Sequence, residues 1–262
     1  RKQVFEIYPL DFLEFLHFKG VAVKPLQDQQ LEKFRPLVFS TYQHLYEEYL
    51  RFGGFPQIVL ADSDNRKEQI LKDILNSYLE LDVKILSDYS VIDDLFRLVS
   101  ILTTRIGSKL DYQKISVIMG ISRHKVKDYV SLFEATYFLH LIKPFTTNPD
   151  RQIAVQPKVY VADNGLVNQF AHISSGALFE NAIANQLLRL GKLNYFQKRS
   201  GQEIDFILNG GQAFEVKETP SPSDEKKVRQ RATQIGIAQS AVIGRYPPGT
   251  AFKKFIWGGC VF

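Results

Sequence analysis

Two acidic residues and a lysine in the last third of the sequence could form a metal-dependent hydrolytic site. Asp205 lies in the segment Glu203-Ile204-Asp205-Phe206, and Glu215 and Lys217 lie in Phe214-Glu215-Val216-Lys217. Hard carboxylate oxygens bind Mg²⁺ or Mn²⁺, and such an ion polarises a phosphoryl oxygen and generates a nucleophilic water. A neighbouring lysine can orient that water or offset developing charge. These residue types therefore indicate phosphodiester hydrolysis.

The two segments are predicted to be strands of one hairpin, which would bring the acids together. Asn209-Gly210-Gly211 separates them and is a hairpin signal. With a three-residue loop, Asp205 faces Glu215, and Cβ atoms of opposed residues lie about 5 Å apart, where like charges destabilise the pair unless a cation neutralises them. Lys217 follows Glu215 by two residues and shares its sheet face. The alternative is a solvated hairpin face on which all three are ordinary surface charges.

The order of these residues resembles a known fold. Glu180 in Leu178-Phe179-Glu180-Asn181, followed by the Asp205 strand and the Glu-x-Lys strand, resembles the PD-(D/E)XK nuclease-like fold. More narrowly, the sequence is similar to the C-terminal domain of unknown function found behind a P-loop domain in many bacterial and archaeal AAA+-type ATPases. Further matching landmarks are Phe52-Gly53-Gly54-Phe55-Pro56, the stretch from Val159 to Leu166 and the opening residues 1–15.

The resemblance implies a role for each site residue. Asp205, Glu215 and Glu180 would hold the metal ion, Glu180 directly or through water, and Lys217 would act on the nucleophile. From the sequence alone, Glu180 could instead interact with the dipole at the start of its helix.

The resemblance also implies that an ATPase core precedes this chain, so that ATP binds only in that N-terminal part. No Gly-x-x-x-x-Gly-Lys-Ser/Thr motif occurs among the 262 residues. The chain begins with Arg1 and its only methionine is Met119. We therefore expect the sequence to be part of a longer protein.

Basic residues at two places indicate nucleic-acid binding. Residues 91–145 are predicted to form a helix-turn-helix, with Ser122 as the N-cap of the third helix and wing strands after it. The N-terminal end of such a recognition helix contacts bases and phosphates. The predicted contact residues are Arg123, Lys125 and Lys127 in this helix, and Lys198 and Arg199 directly before the Asp205 strand. Alternatively, the helix face is solvated and the winged helix packs against protein.

The pattern of the whole sequence predicts an α+β fold. Residues 1–90 are predicted to be a helical region that follows the ATPase core, and residues 91–165 a winged helix. Residues 166–262 are predicted to form a small mixed sheet flanked by helices, a restriction-endonuclease-like domain. The Gly53-Gly54-Phe55-Pro56 stretch is predicted to be an elbow between packed helices, and the tyrosines before it are predicted to be core.

Composition favours an intracellular protein. The single cysteine, Cys260, permits no internal disulfide and indicates a reducing, cytoplasmic compartment. No uninterrupted apolar span of about 18 residues occurs, so no membrane partner is expected. The net charge of +5 is a mild bias towards polyanions. Five scattered histidines and the absence of Gly-x-Ser-x-Gly and dinucleotide motifs argue against the serine-hydrolase and oxidoreductase classes.

Two functions remain open. The first is a metal-dependent nuclease site in a nucleic-acid-binding part of an ATPase. The second is a non-catalytic module that regulates the ATPase by binding DNA or a protein partner. Fold alone does not decide between them.

Overall fold

The computed structural model describes residues 6–23, 34–79, 92–146, 155–198, 200–249 and 252–261. Arg199 and the predicted domain boundary at residue 90 lie outside these ranges. Within them, no helix combines the length and apolarity needed to cross a bilayer.

The N-terminal half is helical. Its helices are α1 (Phe12–Phe18), α2 (Pro36–Phe52), α3 (Pro56–Val59), α4 (Asp64–Ser77), α5 (Ile92–Thr103), α6 (Tyr112–Met119) and α7 (Arg123–Ala135). Side-chain caps start several of them, because a carboxylate or hydroxyl accepts a hydrogen bond from a backbone N–H that has no partner inside the helix. Ser122 caps α7 as predicted, with its hydroxyl accepting from the Lys125 N–H. The assignment of α5–α7 as a winged helix stays a prediction.

The C-terminal half alternates strands and helices. Its elements are β1 (Leu139–Pro144), β2 (Lys158–Val161), α8 (Asn164–Phe170), α9 (Ser175–Leu190), β3 (Leu193–Gln197), β4 (Glu203–Leu208), β5 (Gln212–Lys217), α10 (Pro222–Gln234), β6 (Gln239–Gly244), β7 (Ile256–Trp257) and a closing 3-10 turn, Gly258–Cys260. This mixture of helices with a mixed sheet confirms the α+β prediction.

One seven-stranded sheet, in the order β2-β1-β3-β4-β5-β6-β7, organises the molecule. β1–β2, β3–β4 and β4–β5 pair antiparallel, whereas β1–β3, β5–β6 and β6–β7 pair parallel. The strands predicted as a wing, β1 and β2, thus lie at one end of the sheet that also carries Asp205 and Glu215. The predicted division at residue 165 stays a prediction, but hydrogen-bonded strands continue across it.

The β4–β5 hairpin has the predicted register. Leu208 pairs with Gln212 and Phe206 with Phe214. Asn209 and Gly210 take φ values of 50° and 69°, the left-handed region in which Gly and Asn are least strained. Counting on from the last pair, Asp205 is opposite Glu215, as the loop length predicts.

The glycine elbow connects the helical half to the sheet. Gly53, with φ 79°, ends α2, and the Gly54 N–H donates to Asp163 Oδ2 at 2.7 Å. A Cβ atom on Gly53 would lie 2.0 Å from Asp163 Oδ1, so this approach requires glycine. The same carboxylate caps α8 by accepting from the N–H groups of Gly165 and Leu166. The elbow is therefore structural, as predicted.

An aromatic core fills the space between α1, α2 and the C-terminal turn. Tyr46 lies at its centre, with ring centroids 4.9 Å from Phe12 and 5.3 Å from Trp257. Tyr42, Tyr46, Tyr49 and Phe52 are all buried, which confirms that the tyrosines before the elbow belong to the core.

Candidate active site

Asp205, Glu215 and Lys217 lie together on neighbouring strands. Asp205 Oδ2 accepts a hydrogen bond from the Val216 N–H on β5 at 2.8 Å. Glu215 is only 8% exposed, and its Oε1 is 2.9 Å from Lys217 Nζ. The i, i+2 spacing along β5 thus places the lysine on the carboxylate's own face, as the strand period requires.

Glu180 approaches the same site from α9. Its Oε1 accepts a hydrogen bond from the Tyr160 hydroxyl at 2.7 Å, and Lys158 Nζ lies 3.9 Å from that oxygen. The turn after α5 closes against it at Gly107, whose φ is 73° and where a Cβ atom would lie 2.8 Å from Glu180 Oε1. Glu180 is therefore partly buried, in the second turn of α9, and is held by Tyr160 and Lys158.

Two buried or half-buried cations and a fourth acid complete the site. Lys158, with a side chain 6% exposed, forms a close ion pair with Glu203 Oε1. Arg231 on α10 donates to the Glu203 carbonyl at 2.6 Å and to Glu215 Oε2 at 3.4 Å. Glu215 is consequently held between Lys217 and Arg231. The sequence pattern did not indicate Lys158, Arg231 or Glu203 as site residues.

Burial and mutual repulsion control the charges of this cluster. Burial, and then the negative charge of Asp205, raise the pKa of Glu180 and that of Glu215 above the usual carboxyl range. Burial works to lower the pKa of Lys158 and of Lys217, but the surrounding carboxylates outweigh it and raise both values. The lysines therefore stay charged at neutral pH, and the two glutamates would gain from an additional positive charge.

Of the three predicted nucleic-acid contacts on α7, two already interact with other side chains of the protein. Arg123 is exposed at the first position of the helix. Lys125 Nζ lies 3.3 Å from Asp94 Oδ2 and 5.5 Å from the centre of the Tyr129 ring, whereas Lys127 Nζ lies 5.7 Å from the centre of the Tyr112 ring.

Lys198 lies after β3 and donates to Gln234 Oε1 at 2.7 Å. Gln234 is the last residue of α10, the helix that carries Arg231. Arg199 lies outside the described residues. Nucleic-acid binding by these side chains stays a prediction.

Comparison with known families agrees with this organisation. The profile of a domain of unknown function, DUF8612, matches residues 43–177, just over half of the chain. The chain belongs to the DUF8612 family. The profile of a second domain of unknown function, DUF4143, matches residues 175–251, and this domain is associated with C-terminal regions of AAA-type ATPases.

The relatives found among curated proteins are uncharacterized. A Methanocaldococcus jannaschii protein is 30% identical over 216 residues, covering 78% of this chain and 47% of the relative. A Haemophilus influenzae protein is 29% identical over 235 residues, covering 84% of this chain and 55% of the relative. The chain thus spans about half the length of these relatives. No solved structure matches it significantly.

The candidate site spans both matched regions. Gly107, Lys158 and Tyr160 lie in the DUF8612 region, whereas Glu180 and the β4–β5 hairpin lie in the DUF4143 region. The site is therefore formed where these two regions meet, and Lys158 and Tyr160 from one region contact Glu180 from the other.

The donor atoms are of the type that hard cations bind, but they are not gathered around one point. Asp205, Glu215 and Glu180 offer oxygen ligands of the kind that Mg²⁺ and Mn²⁺ prefer, and the pKa values of both glutamates are raised in the absence of such an ion. As the side chains stand in the described part of the chain, no three His, Cys, Asp or Glu residues are grouped closely enough to hold a metal. For a metal ion to bind, Glu215 would have to give up its contact with Arg231 or with Lys217. The assignment of Asp205, Glu215 and Glu180 as metal ligands stays a prediction.

One sequence signal could have revealed Lys158. All four residues of β2 are buried, and Lys158 is the one charged residue among them. A lysine in a fully buried strand needs an acidic partner, because an isolated buried charge is costly. Arg231 and Glu203 carry no comparable signal, since both occur in ordinary amphipathic segments.

Proposed function

We propose that this chain carries a metal-dependent phosphodiesterase site that acts on nucleic acid. The observation that supports this most strongly is that Asp205, Glu215 and Lys217 lie together on β4 and β5, with Glu215 buried and Lys217 2.9 Å from it. A purely structural hairpin has no need for two opposed carboxylates, because their repulsion opposes folding.

Each residue has a distinct role in the proposed chemistry. Asp205 and Glu215 would hold one Mg²⁺ or Mn²⁺ ion, with Glu180 as a further ligand, direct or through water. When bound, the ion would polarise the phosphoryl oxygen and supply an activated water. Lys217 would orient the attacking water and offset negative charge that develops on the phosphate. Lys198 would contact a neighbouring phosphate.

We further propose that the intact protein is a AAA+-type ATPase and that this chain is its nucleic-acid-facing part. The match to DUF4143 and the span of about half the relatives' length support this. ATP would bind in the other part of the protein. ATP turnover and nucleic-acid processing would then be coupled through the domain contacts.

A cleavage assay tests the proposed nuclease function. Single- and double-stranded DNA and RNA are incubated with this chain and Mg²⁺ or Mn²⁺, and with its Asp205→Ala and Lys217→Ala variants. The expected result is metal-dependent cleavage that falls at least a hundredfold in both variants, because general acid–base and metal-positioning groups contribute on the order of 10²–10⁴ in rate. Asp62→Ala and Lys72→Ala should leave cleavage unchanged. Lys72 is an exposed residue of α4 and Asp62 is exposed in the turn before that helix, so both lie far in sequence from Asp205 and Lys217.

One observation favours the second candidate function, a non-catalytic regulatory module. Lys217 and Arg231 already neutralise Glu215, and Lys158 neutralises Glu203, so the acids are paired without any metal. If the chain cleaves nothing, alone or joined to its ATPase part, the acidic cluster is structural and the regulatory function replaces the nuclease.

A further inference from the structure

A groove that the proposed hydrolysis does not use lies between the segment before α1, the second half of α4 and the turn that joins α7 to β1. Its volume is about 520 Å³. The buried side chains of Ile70, Leu75 and Leu166 are part of its lining. An apolar depression of this size is within the range of ligand-binding sites.

Aromatic rings form much of the remaining lining. They belong to Tyr8, Phe55, Tyr78, Tyr137 and Phe138. The rings of Tyr78 and Phe138 stack with their centroids 5.0 Å apart. The face of an aromatic ring carries partial negative charge and attracts cations, so these rings favour a ligand that is apolar or positively charged.

The charged groups at this groove are carboxylates. Asp73 lines it and is exposed. Glu6 accepts hydrogen bonds from the hydroxyls of two lining residues, Tyr8 at 2.5 Å and Tyr137 at 2.9 Å. These hydrogen bonds lower the pKa of Glu6, which is therefore charged at neutral pH. Among the described residues that line the groove, none is Lys, Arg or His, although the whole chain carries a net charge of +5. The groove thus favours a cation over a phosphate group.

Tyr137 holds its ring at the groove in a backbone conformation that a bulky residue disfavours. Its φ is 59°, in the left-handed region, at the helix-ending position where glycine is usual. The residue is nevertheless 52% exposed. Because the ring gains little burial within the chain to offset this strain, its position indicates a role in binding.

The groove is open at its rim. Ile7 is 94% exposed and Tyr8 36% exposed, and both line it together with Tyr137. Sites for small molecules bury about 70–90% of the ligand surface, which an open rim does not do. Large exposed apolar side chains gathered at one place are typical of protein-interaction sites. The shape therefore fits a peptide better than a free small molecule.

We propose that this groove binds a peptide segment of a partner protein in which an arginine or lysine stands between apolar residues. The apolar side chains of the peptide would pack against Ile70 and Leu75. The cationic group would lie against Tyr137, with Asp73 and Glu6 as counter-charges. The inference is independent of the proposed nuclease site, which uses other residues.

Titration calorimetry with short peptides tests the proposal. The probe is acetyl-Ala-Leu-Arg-Leu-Ala-amide, compared with the same peptide carrying citrulline, the neutral isostere of arginine, or glutamate at the central position. The arginine peptide should bind about tenfold more tightly than the citrulline peptide, because a desolvated cation over an aromatic ring contributes on that scale. The glutamate peptide should bind more weakly than both.

Three results would overturn the proposal. They are no binding of the arginine peptide, equal binding of the citrulline peptide, and tighter binding of the glutamate peptide. Phenethylguanidinium chloride serves as a free cation, and binding as tight as that of the arginine peptide would overturn the assignment of a peptide ligand.

Two variants locate the binding site. Tyr137→Gly removes the ring and suits the left-handed backbone, so the chain should fold, as circular dichroism checks, and bind the arginine peptide about tenfold more weakly. Asp73→Asn should weaken binding a few-fold, the scale of an exposed charge pair. Unchanged affinity in both variants would overturn the assignment to this groove.

Asp128→Asn is the matched control for Asp73→Asn. Both aspartates are exposed on a helix and are hydrogen-bonded to the residue four positions earlier, Asp73 to Gln69 and Asp128 to His124. Asp128 does not line the groove, so its variant should bind the arginine peptide as wild type does. Should Tyr137→Gly fail to fold, Asp73→Asn and the citrulline comparison still decide.

Discussion

At the scale of single residues, Asp163 shows how a buried carboxylate is accommodated without a cation. It sits where β2 leads into α8 and accepts three backbone N–H hydrogen bonds, from Gly54, Gly165 and Leu166. Burial raises the pKa of Asp163 from 3.8 to about 6, against the opposing effect of these hydrogen bonds. The charge is thus retained at neutral pH at a cost to stability.

This pKa shift predicts a pH dependence of stability. Between about pH 4 and pH 6 the folded protein binds a proton at Asp163 more tightly than the unfolded chain does. The destabilisation that comes from burying the charged carboxylate is therefore complete above pH 6 and declines as pH falls. Asp163→Asn has no proton to bind. We expect the stability of wild type relative to this variant to rise by about 2 kcal/mol from pH 7 to pH 4.5.

Urea denaturation of both proteins at the two pH values measures this difference, because other titrating groups are common to both and cancel. A difference that stays constant with pH would show that the backbone hydrogen bonds keep the pKa of Asp163 at its ordinary value.

At the scale of elements, the tip of the β4–β5 hairpin is fastened to the end of α9. Asn209 Oδ1 accepts from the Lys192 N–H at 2.9 Å, and its Nδ2 donates to the Leu190 carbonyl at 3.3 Å. Gly191, between them, has a φ of 151°, and a Cβ atom there would lie 2.2 Å from Asn209 Oδ1. This contact connects the helix that carries Glu180 to the strands that carry Asp205 and Glu215.

Gly191→Ala should therefore destabilise the protein by about 3 kcal/mol, because it combines a backbone conformation that only glycine adopts easily with a steric overlap. Gly236→Ala is the matched control. Gly236 has a φ of 79°, but a Cβ atom there would meet no heavy atom within 4 Å, so the loss of stability should be only about 1 kcal/mol. Thermal and urea unfolding of the two variants give the comparison; equal losses would mean that Asn209 simply moves aside.

At the scale of the whole molecule, Arg245 joins the helical half to the sheet. It follows β6, and its guanidinium donates to both carboxylate oxygens of Glu47 on α2, at 3.1 and 2.5 Å. It also donates to Glu218 at 3.2 Å and to the Ser175 carbonyl at 3.3 Å. A planar donor group of this kind can bind several acceptors at once in a fixed geometry, which a lysine cannot.

Arg245→Met should lower the free energy of unfolding by about 2 kcal/mol, the scale of hydrogen bonds to charged partners. Its side chain is 9% exposed, whereas that of Arg51, which pairs with Asp64 and Glu68 within the helical half, is 56% exposed. Arg51→Met should therefore cost less than about 1 kcal/mol. Calorimetry also shows whether the unfolding transition of Arg245→Met separates into two, as it should if this contact couples the two halves. A single, unshifted transition would contradict that role.

The sequence by itself determined the local features of this protein. The hairpin register, the shared face of Glu215 and Lys217 and the Ser122 cap follow from strand period, turn residues and capping chemistry over a few positions. Tertiary structure decided the rest: Lys158 meets Glu203, and Arg231 meets Glu215, because β1 pairs with β3 and α10 packs beside the sheet. These contacts join residues far apart in sequence, and no local periodicity encodes which distant charge will neutralise which.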